Sequence, residues 1–282
     1  MITAVRVPAY RLEEDGKYRI LSEHGLASRT LLVDLDAALR PTRVRELETE
    51  ALRQKHDEAR DGLEDPRLFI SGGKLMCLWN GLNTGRDNHH QLRRDELWAP
   101  DWTSARNTMI VAEIRDDAVR ESAVIASPFG NAREKNWMPE SPSDSPTFCY
   151  RVADDYTLIY SEGDYLSSAR ATAHSRLTGW SGSSQMLAWR SGRLCVVHKA
   201  IRGNPALKHL APAVYLHKFV FFSEDGRTYE SRTFFFQRRG IEFCAGLAED
   251  GESLVLSYGV DDASAHLSRI NSDQVQKLLR RI

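Results

Sequence analysis

Four times in 282 residues, a run of β-branched and aromatic side chains stops at a short glycine-bearing turn and starts again. Arg67–Ile70 leads through Ser71-Gly72-Gly73-Lys74 into Leu75–Trp79, and Gln185–Trp189 through Arg190-Ser191-Gly192 into Arg193–His198. Tyr215–Phe222 leads through Glu224-Asp225-Gly226 to Thr228–Phe236, and Ile241–Ala248 through Glu249-Asp250-Gly251 to Ser253–Tyr258. Glycine after Asp or Ser supplies the positive φ of a tight hairpin, so each unit predicts two adjacent antiparallel strands. A fifth pair is expected from Met109–Ile114 and Ala123–Ala126, with Tyr156–Tyr160 nearby. Serial hairpins of this kind confine the chain to an all-β sandwich, barrel or propeller.

Two stretches read as helix. Thr42–Gly62 contains no internal proline or glycine and spaces its charges helically, as a solvated peripheral helix would. Ser272–Arg280 has a Ser-Asp start, apolar Val275, Leu278 and Leu279, and a basic end. Polar clusters recur beside the expected strands: Glu64-Asp65-Pro66-Arg67, Glu134-Lys135-Asn136-Trp137, Tyr215-Leu216-His217-Lys218, Glu242 and Asp261-Asp262. A propeller gathers one innermost strand per blade around a central channel, where such clusters would converge. A sandwich would scatter them. The expectation is therefore a five-bladed β-propeller of roughly 45–50 residues per blade, with a peripheral helix and a short C-terminal helix, forming one domain over residues 1–282.

Charge narrows the partners. Thirty-eight basic residues against 39 acidic ones leave a net charge of −1, which removes the electrostatic case for nucleic acid or an anionic membrane. No apolar run approaches the ~18 residues of a membrane span, and the N-terminus meets charge too early for a signal peptide, so a cytoplasmic location is expected. Cys77, Cys149, Cys195 and Cys244 are far apart, without the paired spacing of a cysteine metal site. They read as core residues, and no metal is expected.

In Glu64-Asp65-Pro66-Arg67, alternation of side chains should send the two carboxylates to opposite faces, with Pro66 holding Asp65 extended. One carboxylate could then enter a cleft while the other turns toward Arg67; an ordinary Asp-Pro turn is the plainer alternative. Lys135, Asn136 and Trp137 combine a cation, an amide and an aromatic face, a mixture that suits a sugar or a phosphate and equally a loop with a packed tryptophan. His198 and His217 stand in strands otherwise filled with Val, Leu and Phe, where a core role is the commoner one. Ser181-Gly182-Ser183-Ser184 offers either an anion-binding nest or an ordinary turn.

Glu64-Asp65-Pro66-Arg67, Lys135-Asn136-Trp137 and Ser257-Tyr258-Gly259-Val260-Asp261-Asp262 together resemble the five-bladed β-propeller enzymes of glycoside hydrolase family 130 and their relatives, over Gly62 to His266. That family contains β-mannoside phosphorylases, hydrolases and related β-1,2-mannosyltransferases. The resemblance implies an inverting reaction with Asp65 as the acid, and inorganic phosphate or a sugar phosphate as co-substrate without a cofactor. Lys135 is the implied phosphate holder, with Arg94 or Arg106 as a second cation. Glu64, Arg67, Asn136, Trp137, His217 and Asp262 are the implied sugar-binding residues. The implied partner is an oligosaccharide or sugar phosphate, and an oligomer is left open.

Three readings follow. In the first, a mannoside phosphorylase or transferase uses Asp65 as acid and the Lys/Arg cluster to dock phosphate. In the second, a hydrolase on the same scaffold adds Glu242 or Asp262 as the base that activates water. The third is a glycan-binding propeller without turnover, serving a glycosyltransferase in polysaccharide assembly.

Overall fold

The computed structural model describes residues 1–12, 18–21, 27–85, 106–127, 129–130, 133–153, 156–161, 164–169, 174–202 and 213–282. Cα packing divides the chain into two compact units, one chiefly of residues 1–68 and 74–135, the other of residues 69–73, 136–205 and 211–282. Antiparallel strands dominate both.

In the first unit, Ile2–Val7, Arg29–Leu35 and Pro41–Glu46 form a three-stranded sheet with Arg29–Leu35 in the middle. Gly62–Ser71, Lys74–Asn83, Arg106–Arg115 and Ala118–Ile125 form a four-stranded meander. Leu32, Leu63, Cys77, Trp79, Ile110 and Ala112 bury together with Leu52 and Ala59. The buried Trp79 indole N–H donates to Thr30 Oγ1 at 3.2 Å, so the large ring enters the core without an unsatisfied donor.

Thr42–Gly62 is not the helix its charge spacing predicts. Pro41–Glu46 is a strand paired with Arg29–Leu35, only Glu50–Lys55 is α-helical, and a 3₁₀ turn at Asp57–Ala59 leads into the next strand at Gly62. The charges belong to a solvated edge strand, where they blunt pairing with another chain. Arg43 reaches Asp117 at 2.9 Å and Arg45 reaches Asp34 at 2.7 Å.

In the second unit, Met138–Ser141, Thr147–Arg151, Tyr156–Ser161 and Asp164–Ala169 form one meander. Met186–Trp189, Gly192–Ile201, Val214–Ser223 and Thr228–Glu230 form another, and parallel pairing of Glu140 with Met186 joins the two. A separate meander runs through Glu242–Asp250, Ser253–Val260 and Ser264–Asn271. The expected pairing of Met109–Ile114 with the run from Ala123 is present, from Met109 facing Ile125 to Val111 facing Ala123. Tyr156–Ser161 pairs with Thr147–Arg151 and Asp164–Ala169 in the second unit. The strand expected to continue to Phe236 stops at Glu230; beyond it a single bridge joins Phe234 to His217. The C-terminal helix is Ser272–Leu278, capped by Asn271 Oδ1 accepting from the N–H groups of Asp273 and Gln274. Arg280–Arg281 leaves it to pair with Thr228–Glu230. Among the described residues, no helix is long and apolar enough to cross a membrane.

The turns follow the expected chemistry with one exception. Gly72 and Gly73 have φ of 55° and 70°, and Asp116 and Asp117, at 52° and 60°, build a two-residue hairpin without glycine. At Arg190-Ser191-Gly192 it is Arg190 that takes the positive φ, 51°. Gly192 is needed for another reason: a Cβ there would collide with the Phe222 carbonyl on the facing strand. Gly192→Ala should therefore cost about 2–3 kcal/mol of stability in urea unfolding, since the facing backbone must move. Gly251→Ala should cost only about 1 kcal/mol, because its Cβ meets nothing within 4 Å and only the φ of 59° opposes it.

Candidate functional site

Pro66 does not hold Asp65 extended. Inside the strand Gly62–Ser71, Asp65 has a φ of 51°, a left-handed conformation that costs a non-glycine residue roughly 1–2 kcal/mol. Residues held this way cluster where strain serves a site. The twist breaks the alternation that would separate Glu64 from Asp65. One guanidinium now reaches both: Arg6 Nη2 donates to Glu64 Oε1 at 2.7 Å and Nη1 to Asp65 Oδ1 at 3.1 Å. Arg6 Nη2 also donates to the Tyr10 hydroxyl at 2.8 Å and Nε to Ser28 Oγ at 3.2 Å, which fixes the fork in place.

The other Glu64 oxygen accepts from Lys135 Nζ and from Asn80 Nδ2, each at 3.1 Å. Burial pushes the Glu64 carboxyl up, but Arg6 and then Lys135 outweigh it and bring the pKa down to about 2. Lys135 is delivered by a short backbone pairing of Arg133 with Asn107, extended by the Glu134 N–H donating to the Asn107 carbonyl at 2.8 Å. Its side chain is 42% exposed, against 14% for Glu64 and 21% for Asp65. Lys135 is thus the member of the cluster best able to turn to a ligand. Arg67 lies in the interior, fully buried, and donates from Nη1 to the Asp65 carbonyl at 3.2 Å. It supports the strained backbone instead of facing a sugar. Beside it, burial pushes the Cys77 thiol up, and all four cysteines are buried and free.

Arg6, Tyr10 and Asn80 were not legible as site residues. Arg6 stands in the unremarkable strand Ile2–Val7, and nothing in that run marks one arginine as the partner of residues nearly sixty positions on.

Several second-unit residues have other roles than expected. The Trp137 ring is fully buried, edge-on to Tyr150 at 5.0 Å between centroids, so it packs the core and has no face for a sugar. Asn136 has a φ of 66° and packs its carbonyl where a Gly182 Cβ would stand. Ser181–Gly182 is a short strand paired with Val197 and His198, and Ser183 and Ser184, both buried, donate to the carbonyls of Cys244 and Gln185, so the serines are spent internally. Glu242 is fully buried, and its carboxylate accepts from the N–H groups of Phe236, Gln237 and Arg238 at 2.7, 2.8 and 3.0 Å. A base that activates water needs access to water; Glu242 staples a loop instead. His217 is also fully buried, against Phe234 and Phe236, so it does not line a channel. Burial takes its pKa down to about 4, with Glu242 opposing. Asp262, with a φ of 53°, stands in the hairpin loop between Val260 and Ser264, half-buried. Arg106 is exposed at the start of its strand, and Arg94 lies outside the described residues.

The first unit therefore brings together Glu64, Asp65 and Lys135 of the expected set, and the second unit packs His217 beside Glu242. Among the described residues, no group of three His, Cys, Asp or Glu side chains could hold a metal ion.

No protein-family model matches the sequence, and no curated protein matches it; the likeness is to solved structures. A β-1,2-mannobiose phosphorylase from Listeria innocua, in complex with β-1,2-mannobiose, is 10% identical over 98% of this chain and 83% of its own, with a TM-score of 0.59. A structure described under the glycoside hydrolase family 130 of mannoside phosphorylases, as containing hydrolases that target β-1,2-mannosidic linkages in Candida mannan, is 13% identical. It covers 95% of this chain and 84% of its own, with a TM-score of 0.57. A glycosyl hydrolase from Bacteroides ovatus is 13% identical over 95% of this chain and 84% of its own, with a TM-score of 0.55. The chain shares their fold.

Two outcomes check the site. Arg6→Met should destabilise the protein by about 3 kcal/mol, because it strands Glu64 and Asp65 in a largely buried place. In a urea double-mutant cycle with Glu64→Gln, the two losses should be less than additive. Stability should also fall as pH drops from 6.5 toward about 4, because His217 takes up its proton more readily when unfolded. His217→Leu should flatten that interval relative to wild type, while the Glu64 contribution, fully present above pH 4.5, is lost progressively between about pH 4.5 and about pH 2.

Proposed function

We propose that the chain is a carbohydrate-active enzyme of the glycoside phosphorylase and hydrolase kind, working on β-mannosides with Asp65 as its acid. The proposal includes a single five-bladed β-propeller domain in the cytoplasm. Five serial antiparallel modules support it, centred on Arg29–Leu35, Lys74–Asn83, Thr147–Arg151, Gly192–Ile201 and Ser253–Val260. So does the fold shared with a mannobiose phosphorylase and with glycoside hydrolases.

The observation that carries the chemistry is the cluster around Asp65. The Asp65 carboxyl stands at a left-handed kink in its strand, partly open to solvent and ion-paired with Arg6, and the adjacent Glu64 carries Lys135. In an inverting phosphorolysis, Asp65 gives its proton to the departing glycosidic oxygen as the anomeric carbon–oxygen bond breaks. Phosphate forms the new bond from the opposite face, and the ring passes through an oxocarbenium-like state. Lys135, exposed enough to move from Glu64 to phosphate, docks the nucleophile, and Glu64 keeps Arg6 as its counter-charge. Inverting hydrolysis needs a second carboxylate about 6.5–9.5 Å away to activate water. Glu242, with both oxygens held by main-chain N–H groups, is poorly suited to that, so a hydrolytic route would fall to the half-buried Asp262, while the cations on Glu64 and Asp65 favour phosphate.

A specific contact favours a second reading. Asp65 is already ion-paired with Arg6, as suits a glycan-binding module in which the carboxylate accepts hydrogen bonds from sugar hydroxyls and the guanidinium donates to them, without turnover.

Incubation with mannose-1-phosphate and simple sugar acceptors separates the two. Released phosphate is expected from the wild-type protein, with a drop of about 10²-fold or more for Asp65→Asn. Lys135→Ala should raise the phosphate concentration needed for half-saturation in the reverse direction. Saturable mannoside binding without phosphate release would select the binding module.

A further inference from the structure

We propose that a basic groove in the second unit, built from other side chains than the Asp65 cluster, is a second ligand site, and that it takes a phosphate-bearing sugar. The groove, of about 420 Å³, lies against the 3₁₀ turn Ser175–Leu177, the strands Val214–Ser223 and Thr228–Glu230, and the C-terminal pair Arg280–Arg281. Four cations line it, Arg176, Lys218, Arg232 and Arg280, and one carboxylate, Glu230.

The pairing of strands explains why they meet. Glu230 is the register partner of both Val220 and Arg280, so Glu230 and Arg280 share a face and Lys218 stands diagonally across. Lys218 Nζ donates to Glu230 Oε2 at 2.6 Å and lies 4.8 Å from the centre of the Trp180 ring. Both side chains are only 13% exposed. This pair is settled: the lysine is anchored, and Glu230 is largely spent on it. Arg176 reaches the other Glu230 oxygen only at 4.0 Å, with its side chain 68% exposed. Arg280 is held at the rim by donating from Nη1 to the carbonyls of Lys277 and Leu279, at 2.7 and 2.9 Å. Arg232 is exposed and makes no ion pair among the described residues.

Four cationic side chains against one carboxylate side chain leave positive charge in excess around a single void. The three outer cations are all arginines, on three separate elements. A guanidinium presents its donors in a planar fork that matches pairs of oxyanion oxygens. Three forks converging from different directions suit a tetrahedral dianion with several acceptor oxygens better than a single planar carboxylate. The volume lies in the range of about 300–1,000 Å³ typical of small-molecule sites, large enough for a sugar ring as well as its phosphate. Thr233 adds a hydroxyl on the same wall. The inference does not depend on the reading of Asp65.

Calorimetric titration of the Lys135→Ala protein with mannose-1-phosphate tests it, since that background weakens the phosphate docking proposed beside Asp65. Saturable binding is expected, weakening as salt is raised. Affinity should fall about tenfold with Arg232→Ala and about tenfold again with Arg280→Ala added, because each removes a charge-assisted contact. Both residues are at the surface, and an unchanged melting temperature will show that the fold is intact. Undiminished affinity in the double variant overturns the site. So does an absence of saturable binding. Glucuronate bound as tightly as the sugar phosphate would overturn the phosphate assignment.

Discussion

A single guanidinium organises the first unit's polar chemistry. Arg6 holds Glu64 with one nitrogen and Asp65 with another, and it also donates to Tyr10 and Ser28. Without a shared cation, two adjacent carboxylates in a half-buried strand would repel each other and pull toward water. With it, Glu64 stays ionised well below the usual carboxylate range and becomes the fixed negative charge to which Lys135 is drawn. The left-handed bend at Asp65 is then tolerable, because Arg6 and Arg67 bind the bent residue through its side chain and its carbonyl respectively. Strain, ion pair and lysine position form one coupled arrangement.

Glu242 and His217 in the second unit carry their buried polarity differently. Among the described residues Glu242 is satisfied by three main-chain N–H groups and no cation, and His217 is kept neutral among phenylalanines. These groups do the work of holding a loop and filling a core. Their burial separates them from chemistry as firmly as their residue types had suggested a link to it.

Hairpins were legible in the sequence because a tight turn leaves a local mark; all four glycine-bearing turns join antiparallel strands, although Arg190 takes the positive φ in one and the strand after another ends at Glu230. Thr42–Gly62 misled because alternating charges on a solvated edge strand satisfy helical spacing almost as well as strand spacing; only pairing with Arg29–Leu35 decides between them. At the site, Asp65 and Lys135 were visible through their motifs. Arg6 was not, since a long-range ion pair leaves no trace in the residues around either partner. Trp137 was read as sugar-binding through the resemblance and Glu242 as a candidate base, and burial, which depends on the whole fold, gives both a packing role. The mannobiose phosphorylase shares the fold, and the details of the site rest on this chain's own side chains.

The strand Arg280–Arg281 closes onto Thr228–Glu230, whose other neighbour, Val214–Ser223, lies just before it in sequence. During synthesis the module ending at Glu230 emerges about fifty residues ahead of the segment that completes it. Until then its outer edge presents unpaired backbone groups, the feature by which sheets recruit foreign strands. The ribosome thus releases this module with an open edge, and the time to translate one further meander and a short helix sets how long that edge must be protected.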